Sequence, residues 1–281
     1  MSDSGPQPYK GGYYLWSYVP SLAAAIVFAV LFIGITAAHC YGLWKSRLWF
    51  CIWFIIGGLM EIVGFCARAS ASSKTGQLMP YVIQNLFLLL PPVLFAATAY
   101  MVLGRVIRSV NGERYSLVKV RWLTKVFVAG DVLSFMIQGG AAGLMATGGN
   151  MQLGERLVVV GLLIQVVLFG CFCATAGVFH YRFQRYDVGV AAYGDGGSGG
   201  WRQSLYMLYA ISGLIMVRSV FRVIEYSLGH DGYPLTHEWT LYVFDSVLML
   251  AVMVIFHVWN PSPGQYRQPE LLNLEGVASS K

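Results

Sequence analysis

Long apolar runs constrain this sequence more than any other feature. Each run is about 20 residues long, which is enough helix to cross the hydrocarbon core of a bilayer. None alternates with polar residues as membrane strands do. Only 11% of the 281 residues are charged, against about 25% in soluble domains. The sequence therefore predicts an all-α membrane protein with seven transmembrane helices. The predicted spans are Val19–Tyr41, Leu48–Ala67, Pro80–Leu103, Leu123–Ala146, Leu157–Phe179, Leu205–Leu228 and Trp239–Trp259.

Lysine and arginine are divided unequally between the two sides of these spans. Thirteen fall on one side and four on the other, while Arg218 and Arg222 lie inside a span. Cytosolic loops are enriched in such residues, so the N-terminus is predicted outside and the C-terminus in the cytosol. The predicted organisation is an extracellular segment at 1–18, a membrane domain at 19–260 and a disordered cytosolic tail at 261–281. A glycine-rich stretch, 189–200, is predicted to be a flexible cytosolic loop.

The sequence argues against nucleic-acid binding, an ATP site and a metal site. The net charge of +6 does not indicate a nucleic-acid partner, because the basic residues flank apolar spans. No Gly-Lys-Ser/Thr sequence occurs, which argues against an ATP site. His230, Asp231, His237 and Glu238 carry metal-ligating groups without the tight spacing of a metal site. No metal and no cofactor are predicted.

Polar side chains within the predicted spans are the candidate functional residues. A charge at the bilayer centre costs at least about 2.5–3.5 kcal/mol on insertion scales. Such a group needs a partner or a hydrated cavity. These residues are Glu61, Gln84, Asn85, Asp131, Gln138, Gln165, Arg218, Arg222, Glu225 and Asp245.

The helical rise places several of these charges at one depth. Glu61 lies seven residues before Arg68, and Asp245 lies seven residues after Glu238. At 1.5 Å per residue, both carboxylates lie roughly 10 Å below the predicted outer surface. Arg222 has a similar depth in the sixth span. We therefore expect the arginines of that span to pair with one or both carboxylates.

Helical periodicity also puts these residues on shared faces. Arg218, Arg222 and Glu225 are spaced i, i+4 and i+7, and Tyr242 and Asp245 share a stripe of the seventh span. Two interpretations remain open. The residues form either an ion-pair network that fixes helix packing or an outward-facing cavity for the polar end of an amphiphile. The predicted substrate-binding residues are Glu61, Gln84, Gln138, Arg218, Arg222, Glu225, Tyr242 and Asp245, with Asp131, nearer the cytosol, as an inner relay.

Five segments that contain these residues resemble a known family. They are EIVGFCAR (61–68), QNLFLLLPPVLFAATAYMVLGR (84–105), DVLSFMIQGGAAG (131–143), RSVFRVIEYSLG (218–229) and HEWTLYVFDSVLM (237–249). In this order they resemble the fungal lipid-translocating exporter family, whose founding member is known for resistance to aminocholesterol. The resemblance extends from about the first span to the seventh. It places Glu61, Gln84, Asp131, Gln138, Arg218, Arg222, Glu225, Glu238 and Asp245 at the family's polar motif positions.

The resemblance implies a fungal multi-pass protein of the plasma membrane or, second, of the vacuolar membrane. It also implies export or flipping of sphingoid long-chain bases, or resistance to toxic amphiphiles such as sterol amines. The predicted partner is thus a lipid or an amphiphilic small molecule, and the oligomeric state is not indicated.

Three functions are compatible with these residues. A translocator is the first, and a seven-helix receptor or sensor that uses the same cavity is the alternative. A membrane enzyme ranks last, because Glu61 and Asp245 lack an accompanying metal-type histidine set, and no catalytic residue is predicted.

Overall fold

The computed structural model describes residues 16, 18–73, 75–146, 151–186, 199–228 and 232–259, and helices make up nearly all of these residues. No strand occurs within these ranges. The helices are α1 (Leu22–Ser46), α2 (Ile52–Ala71), α3 (Leu78–Leu89), α4 (Pro91–Ser109), α5 (Val120–Ala146), α6 (Met151–Tyr186), α7 (Gly199–Ser227), the short α8 (Tyr233–Thr236) and α9 (Glu238–Trp259).

Six helical segments are long and apolar enough to cross a membrane. They are Leu22–Ser46, Trp49–Ala71, Leu78–Ser109, Leu153–Tyr186, Trp201–Ser227 and Glu238–Trp259. The 27 residues of α5 extend about 40 Å at 1.5 Å per residue, so this more polar helix also has membrane length. The predicted all-α, multi-pass membrane protein is confirmed, with six to seven membrane-length helices.

Most helices are longer than the apolar runs that predicted them, although α1 begins at Leu22 and α2 at Ile52, after the predicted starts at Val19 and Leu48. The fifth predicted span is Leu157–Phe179, whereas α6 has 36 residues. This length corresponds to about 54 Å, well beyond a hydrocarbon core of about 30 Å. Apolar runs give a minimum helix length, because the backbone stays hydrogen-bonded past the point where the side chains become polar.

Three predicted segments lie largely outside the described residues. These are the N-terminal segment apart from Trp16 and Tyr18, the glycine-rich loop apart from its last two residues, and the tail at 261–281. Gly199 and Gly200 belong to α7, so the predicted loop extends two residues too far.

Contacts at the termini of the helices define two ends of the bundle. At the first end, the backbone N–H of Ser21 donates to Glu238 Oε1 at 2.8 Å. At the second end, the rings of Phe183 and Trp201 pack with centroids 5.2 Å apart. We call them the N-terminal end and the C-terminal end. The N-terminal end is the predicted outer side, and this orientation remains a prediction.

Aromatic rings fill the centre of the bundle, while aliphatic side chains cover its outside. Phe54 packs between Phe95 and Phe256, with ring centroids 4.4 Å and 4.3 Å away. Met136 and Val167 are exposed by 68% and 62%. Removing apolar surface from water stabilises a protein by roughly 25 cal/mol per Å². Apolar side chains that are exposed to this extent are therefore typical of a surface that faces lipid.

The third span breaks between α3 and α4. Proline has no backbone N–H, so Pro91 and Pro92 cannot donate to the carbonyls of Phe87 and Leu88, four residues earlier. The helix therefore breaks at Leu90, and the break leaves two carbonyls without their helical donors.

Candidate functional site

Five charged residues lie buried together where α2, α7 and α9 meet. Arg218 Nε and Arg222 Nη2 both donate to the carboxylate of Asp245. Arg222 Nη1 also donates to Glu225 Oε2 at 2.9 Å. Glu61 is 2% exposed and lies close enough to interact electrostatically with both arginines and with Asp245. We call these five residues the arginine cluster. The predicted pairing of the sixth-span arginines with Asp245 is confirmed.

The helix break supplies a backbone anchor for this cluster. Arg218 Nη2 donates to the carbonyl oxygen of Leu88 at 2.7 Å. That carbonyl lacks its helical donor because Pro92 has no N–H. A guanidinium has five N–H donors in a fixed plane, so Arg218 can bind this carbonyl and Asp245 at once. Pro92 thus helps to fix the direction of a buried cation.

Asp245 lies in a π-helical segment of α9, Tyr242–Val247. The hydroxyl of Ser246 donates to the carbonyl of Leu241, five residues earlier, at 3.5 Å. Such π-helical turns are rare in proteins overall, and those that do occur are often found at functional sites. Here the π-helical turn contains the carboxylate that both arginines share.

The arginine cluster has unused binding capacity. Its two arginines and three carboxylates carry one excess negative charge when all are ionised. Within the described residues, no ion pair to Glu61 is present. Arg222 Nε likewise has no hydrogen-bond partner there. The cluster therefore offers a buried carboxylate to a cation and one buried N–H to an acceptor.

A second buried charge lies on the same stripe of α2. Arg68 donates to Glu238 at 2.8 Å, to the Tyr242 hydroxyl at 3.0 Å, to the Tyr18 hydroxyl at 3.1 Å and to Gln84 at 3.3 Å. We call these five residues the Arg68 cluster. The charge count along the sequence assigned Arg68 to the outer side, whereas its side chain is fully buried. The reason is that Glu238 neutralises its charge.

The Arg68 cluster lies between the arginine cluster and the N-terminal end. Arg68 follows Glu61 by seven residues on α2, which is roughly 10 Å of helix. Its guanidinium carbon is 5.8, 5.6 and 5.1 Å from the ring centroids of Trp16, Tyr18 and Tyr242. Aromatic faces attract a cation at such distances. The Arg68 cluster thus closes the N-terminal end above the arginine cluster.

The predicted glutamine positions separate into different places. Gln84 and Tyr242 belong to the Arg68 cluster. Gln138 instead joins α5 to α6, with its amide donating to Gln165 at 3.4 Å and to the Ser134 hydroxyl at 3.3 Å. The predicted substrate-binding residues therefore lie in two charged layers formed by α2, α3, α7 and α9 and in a separate polar contact between α5 and α6.

Asp131 lies apart from both charged layers. Its Oδ2 accepts from the hydroxyl of Tyr100 at 2.8 Å, and its Oδ1 has no partner among the described residues. The side chain is 1% exposed. The ring of Tyr100 packs against Phe127 and Phe172. In the part of the chain that the structure describes, no cation forms an ion pair with this carboxyl group, so its charge would be uncompensated.

Metal-ligating side chains do not gather into a group of three or more anywhere in the described ranges. His230 and Asp231, considered as ligands from the sequence, lie outside those ranges.

Comparison with known proteins adds the family. The family model described as RTA1 like protein matches residues 54–267, which include the whole arginine cluster. Three relatives come from Saccharomyces cerevisiae. Protein RTM1 is 42% identical over 202 residues, covering 72% of this chain and 64% of its own length. Protoporphyrin uptake protein 1 is 34% identical, covering 88% and 92%. Sphingoid long-chain base transporter RSB1 is 24% identical, covering 86% and 72%.

None of the solved protein structures matches this chain at a significant level. The chain spans slightly less than two thirds of the length of RTM1. The family model nonetheless covers most of the sequence, and a relative above 30% identity aligns with nearly all of it. The chain therefore belongs to the RTA1-like family of membrane proteins.

Proposed function

We propose that this protein translocates amphiphiles that carry a cationic amine. The amine would bind at the arginine cluster while the apolar tail remains in lipid between the helices. The observation that carries the proposal is the third carboxylate of the cluster, Glu61, which lies beside two arginines that pair with the other two. Glu61 is buried without an ion-pair partner in the described chain, and a buried carboxylate is strongly stabilised by a cation that reaches it.

The relatives support movement of molecules of this kind. One is named as a transporter of sphingoid long-chain bases, which are single-chain amines. Another is named for protoporphyrin uptake. A carboxylate-bearing macrocycle is thus a second candidate for this chain, and the unpartnered Nε of Arg222 favours it as a donor to an anion. Neither function involves a chemical step, and we propose no catalytic residue.

Substituting Glu61 tests the amine proposal. In reconstituted vesicles, we expect Glu61→Gln to lower the flux of a labelled long-chain amine at least tenfold, because the neutral amide cannot compensate an ammonium. A tenfold change corresponds to 1.4 kcal/mol. An alcohol of the same chain length should be moved slowly by both forms. A porphyrin carboxylate should be affected by Arg222→Gln and not by Glu61→Gln if the second candidate is correct.

Glu113 provides the matched control. Its carboxylate is 64% exposed and faces Arg108 at 3.8 Å, so Glu113→Gln removes a charge without altering the interior. Equal amine flux in Glu61→Gln and wild type, with equal folding, would remove the basis of the proposal. Saturable amine binding without flux in wild type would favour the receptor alternative.

We also infer that the protein lies in the plasma membrane with its N-terminal end outside. The orientation follows from the excess of basic residues near the C-terminal end, and the plasma membrane is what the resemblance to the fungal exporter family implies. An epitope placed before Trp16 should be accessible to antibody on intact cells, and one placed after Trp259 only after permeabilisation. The reverse pattern would place the Arg68 cluster on the cytosolic side.

A further inference from the structure

Asp131 and Tyr100 form a buried pair that the proposed amphiphile site does not use. Both side chains are almost fully inaccessible, at 1% and 0% exposure. Tyr100 belongs to α4 and Asp131 to α5, so their hydrogen bond joins two helices. The pair lies far from the arginine cluster, because Tyr100 follows Leu88 by twelve residues, roughly 18 Å of helix.

Apolar rings surround this pair. The centroid of the Tyr100 ring lies 5.4 Å from that of Phe127, 6.2 Å from that of Phe169 and 4.5 Å from that of Phe172. Within the described chain, no ion pair to Asp131 is present. An ionised carboxylate is costly in such a place, whereas a neutral carboxylic acid is not.

The titratable groups around the pair are few. From α4, Tyr100 faces Asp131 directly. From α6, the thiol of Cys173 interacts with Tyr100. Tyr209 of α7 interacts with Cys173 in turn. These groups are neutral in their ordinary protonation states, so they provide no counter-charge.

The same face of α5 continues with polar side chains toward the N-terminal end. Ser134 and Gln138 follow Asp131 at i+3 and i+7, and Gln138 donates to Gln165. Ser134 donates to the carbonyl of Gly161. The two helices approach closely here, since a Cβ on Gly161 would lie 2.7 Å from Gln138 Cγ. Asp131 is therefore the ionisable member of a stripe of hydrogen-bonding groups about 10 Å long.

We propose that Asp131 is a proton-binding site whose protonation supplies the driving force for transport. The inference rests on the proposed translocation of amphiphiles and adds an energy source to it. One proton binds the carboxylate at Oδ1, which has no partner in the described chain, and gives a neutral carboxylic acid. The same proton leaves to water on the opposite side of the membrane. Tyr100 is a positioning residue, since its hydroxyl holds Oδ2 in place.

The helix break connects this proton site with the amphiphile site. The chain turns into α4 at the break beside Leu88, where Arg218 is anchored, and α4 carries Tyr100. A movement of α4 that accompanies amine binding would shift the Tyr100 hydroxyl relative to Asp131. Binding of the amine at the arginine cluster and binding of the proton at Asp131 would then alternate.

Flux under an imposed pH gradient tests the proposal. The probe is a long-chain quaternary ammonium compound in vesicles that contain the full chain, because its charge does not change with pH. One-for-one exchange predicts an accumulation ratio of about tenfold per pH unit, since 1.4 kcal/mol corresponds to a factor of ten. Protein-free vesicles should show no accumulation, and Glu113→Gln, an exposed carboxylate, should behave as wild type.

Asp131→Asn removes the proton site with almost no change of shape. We expect its flux to be independent of the pH gradient, whatever its absolute rate. Tyr100→Phe keeps the carboxyl group, so its flux should still follow the gradient with a shifted pH midpoint. Flux in Asp131→Asn that follows the gradient as in wild type would overturn the proposal. Wild-type flux that is independent of the pH gradient would also overturn the proposal.

A spectroscopic readout separates this inference from the proposed function. In infrared difference spectra of the purified protein, the wild type should show a carboxylic-acid carbonyl band that disappears as the pH rises. Asp131→Asn should lose a component of this band, and Glu61→Gln separates any component that comes from the other buried carboxyl group without an ion pair. If wild type moves no amphiphile but shows the component that is lost in Asp131→Asn, the proposed function fails and the proton site stands. If no component of the band is lost in Asp131→Asn, the proton site is wrong.

Discussion

Replacing Asp245 with alanine is expected to lower the free energy of unfolding by about 3–5 kcal/mol, the usual cost of breaking a buried ion pair from one side. Asp245 accepts hydrogen bonds from both arginines of α7. Without it, the hydrogen-bond acceptors left among the described residues are the carbonyl of Leu88 for Arg218 and the carboxylate of Glu225 for Arg222. Within the membrane these cations cannot be rehydrated cheaply. Equilibrium unfolding in mixed detergent micelles measures the loss.

Two variants calibrate this prediction. Asp245→Asn keeps the shape and one carbonyl acceptor, so its loss should be smaller than that of the alanine variant. Glu113→Ala breaks an exposed pair and should change the free energy of unfolding by about 0–1 kcal/mol. If Asp245→Ala changes the free energy of unfolding by no more than Glu113→Ala does, the arginine cluster does not stabilise the fold.

The second large effect is expected for Arg68→Ala, with a loss of about 3 kcal/mol, at the low end of the range for a broken buried pair. The variant removes four hydrogen bonds and leaves Glu238 without its cation. Glu238 remains 20% exposed, so water can partly hydrate it, which keeps the loss below that for Asp245. The same unfolding measurement applies.

Charge alone does not account for the expected role of Arg68. Arg68→Lys keeps the positive charge but cannot reproduce the planar set of donors, so its stability should fall between wild type and the alanine variant. Arg121 is exposed, and Arg121→Ala should have little effect. A loss in Arg68→Ala no greater than that in Arg121→Ala would mean that the Arg68 cluster does not hold the N-terminal end together.

The multi-pass helical fold and the pairing of Arg218 and Arg222 with Asp245 could be predicted from the sequence. Helical rise and periodicity depend only on residue number, so the spacing of Arg218, Arg222 and Asp245 within their spans is enough to put them at one depth. The same arithmetic holds for Glu61. Its burial beside these residues follows from the seven-residue distance to Arg68.

Other features could not be predicted, because they depend on how helices meet. Arg68 resembles a loop residue, since nothing local indicates that Glu238 and Tyr242 surround it. Its position at i+7 from Glu61 is the available signal. Gln138 shares its depth with charged residues, but depth does not say which neighbour a helix faces, and α5 faces α6 here. The π-helical turn at Asp245 likewise leaves no trace in residue spacing.

The break before Pro91 and Pro92 has a consequence for how this membrane domain can change by mutation. The carbonyl oxygen of Leu88, which lacks its helical hydrogen bond, would be destabilising in lipid. Here it accepts a hydrogen bond from Arg218. An amide restored at position 92 would donate to that oxygen and weaken its bond to Arg218, which would leave Asp245 as the main partner of the guanidinium. We therefore expect Pro92 and Arg218, 126 positions apart in the chain, to be energetically coupled, so that the effect of exchanging one depends on whether the other is present.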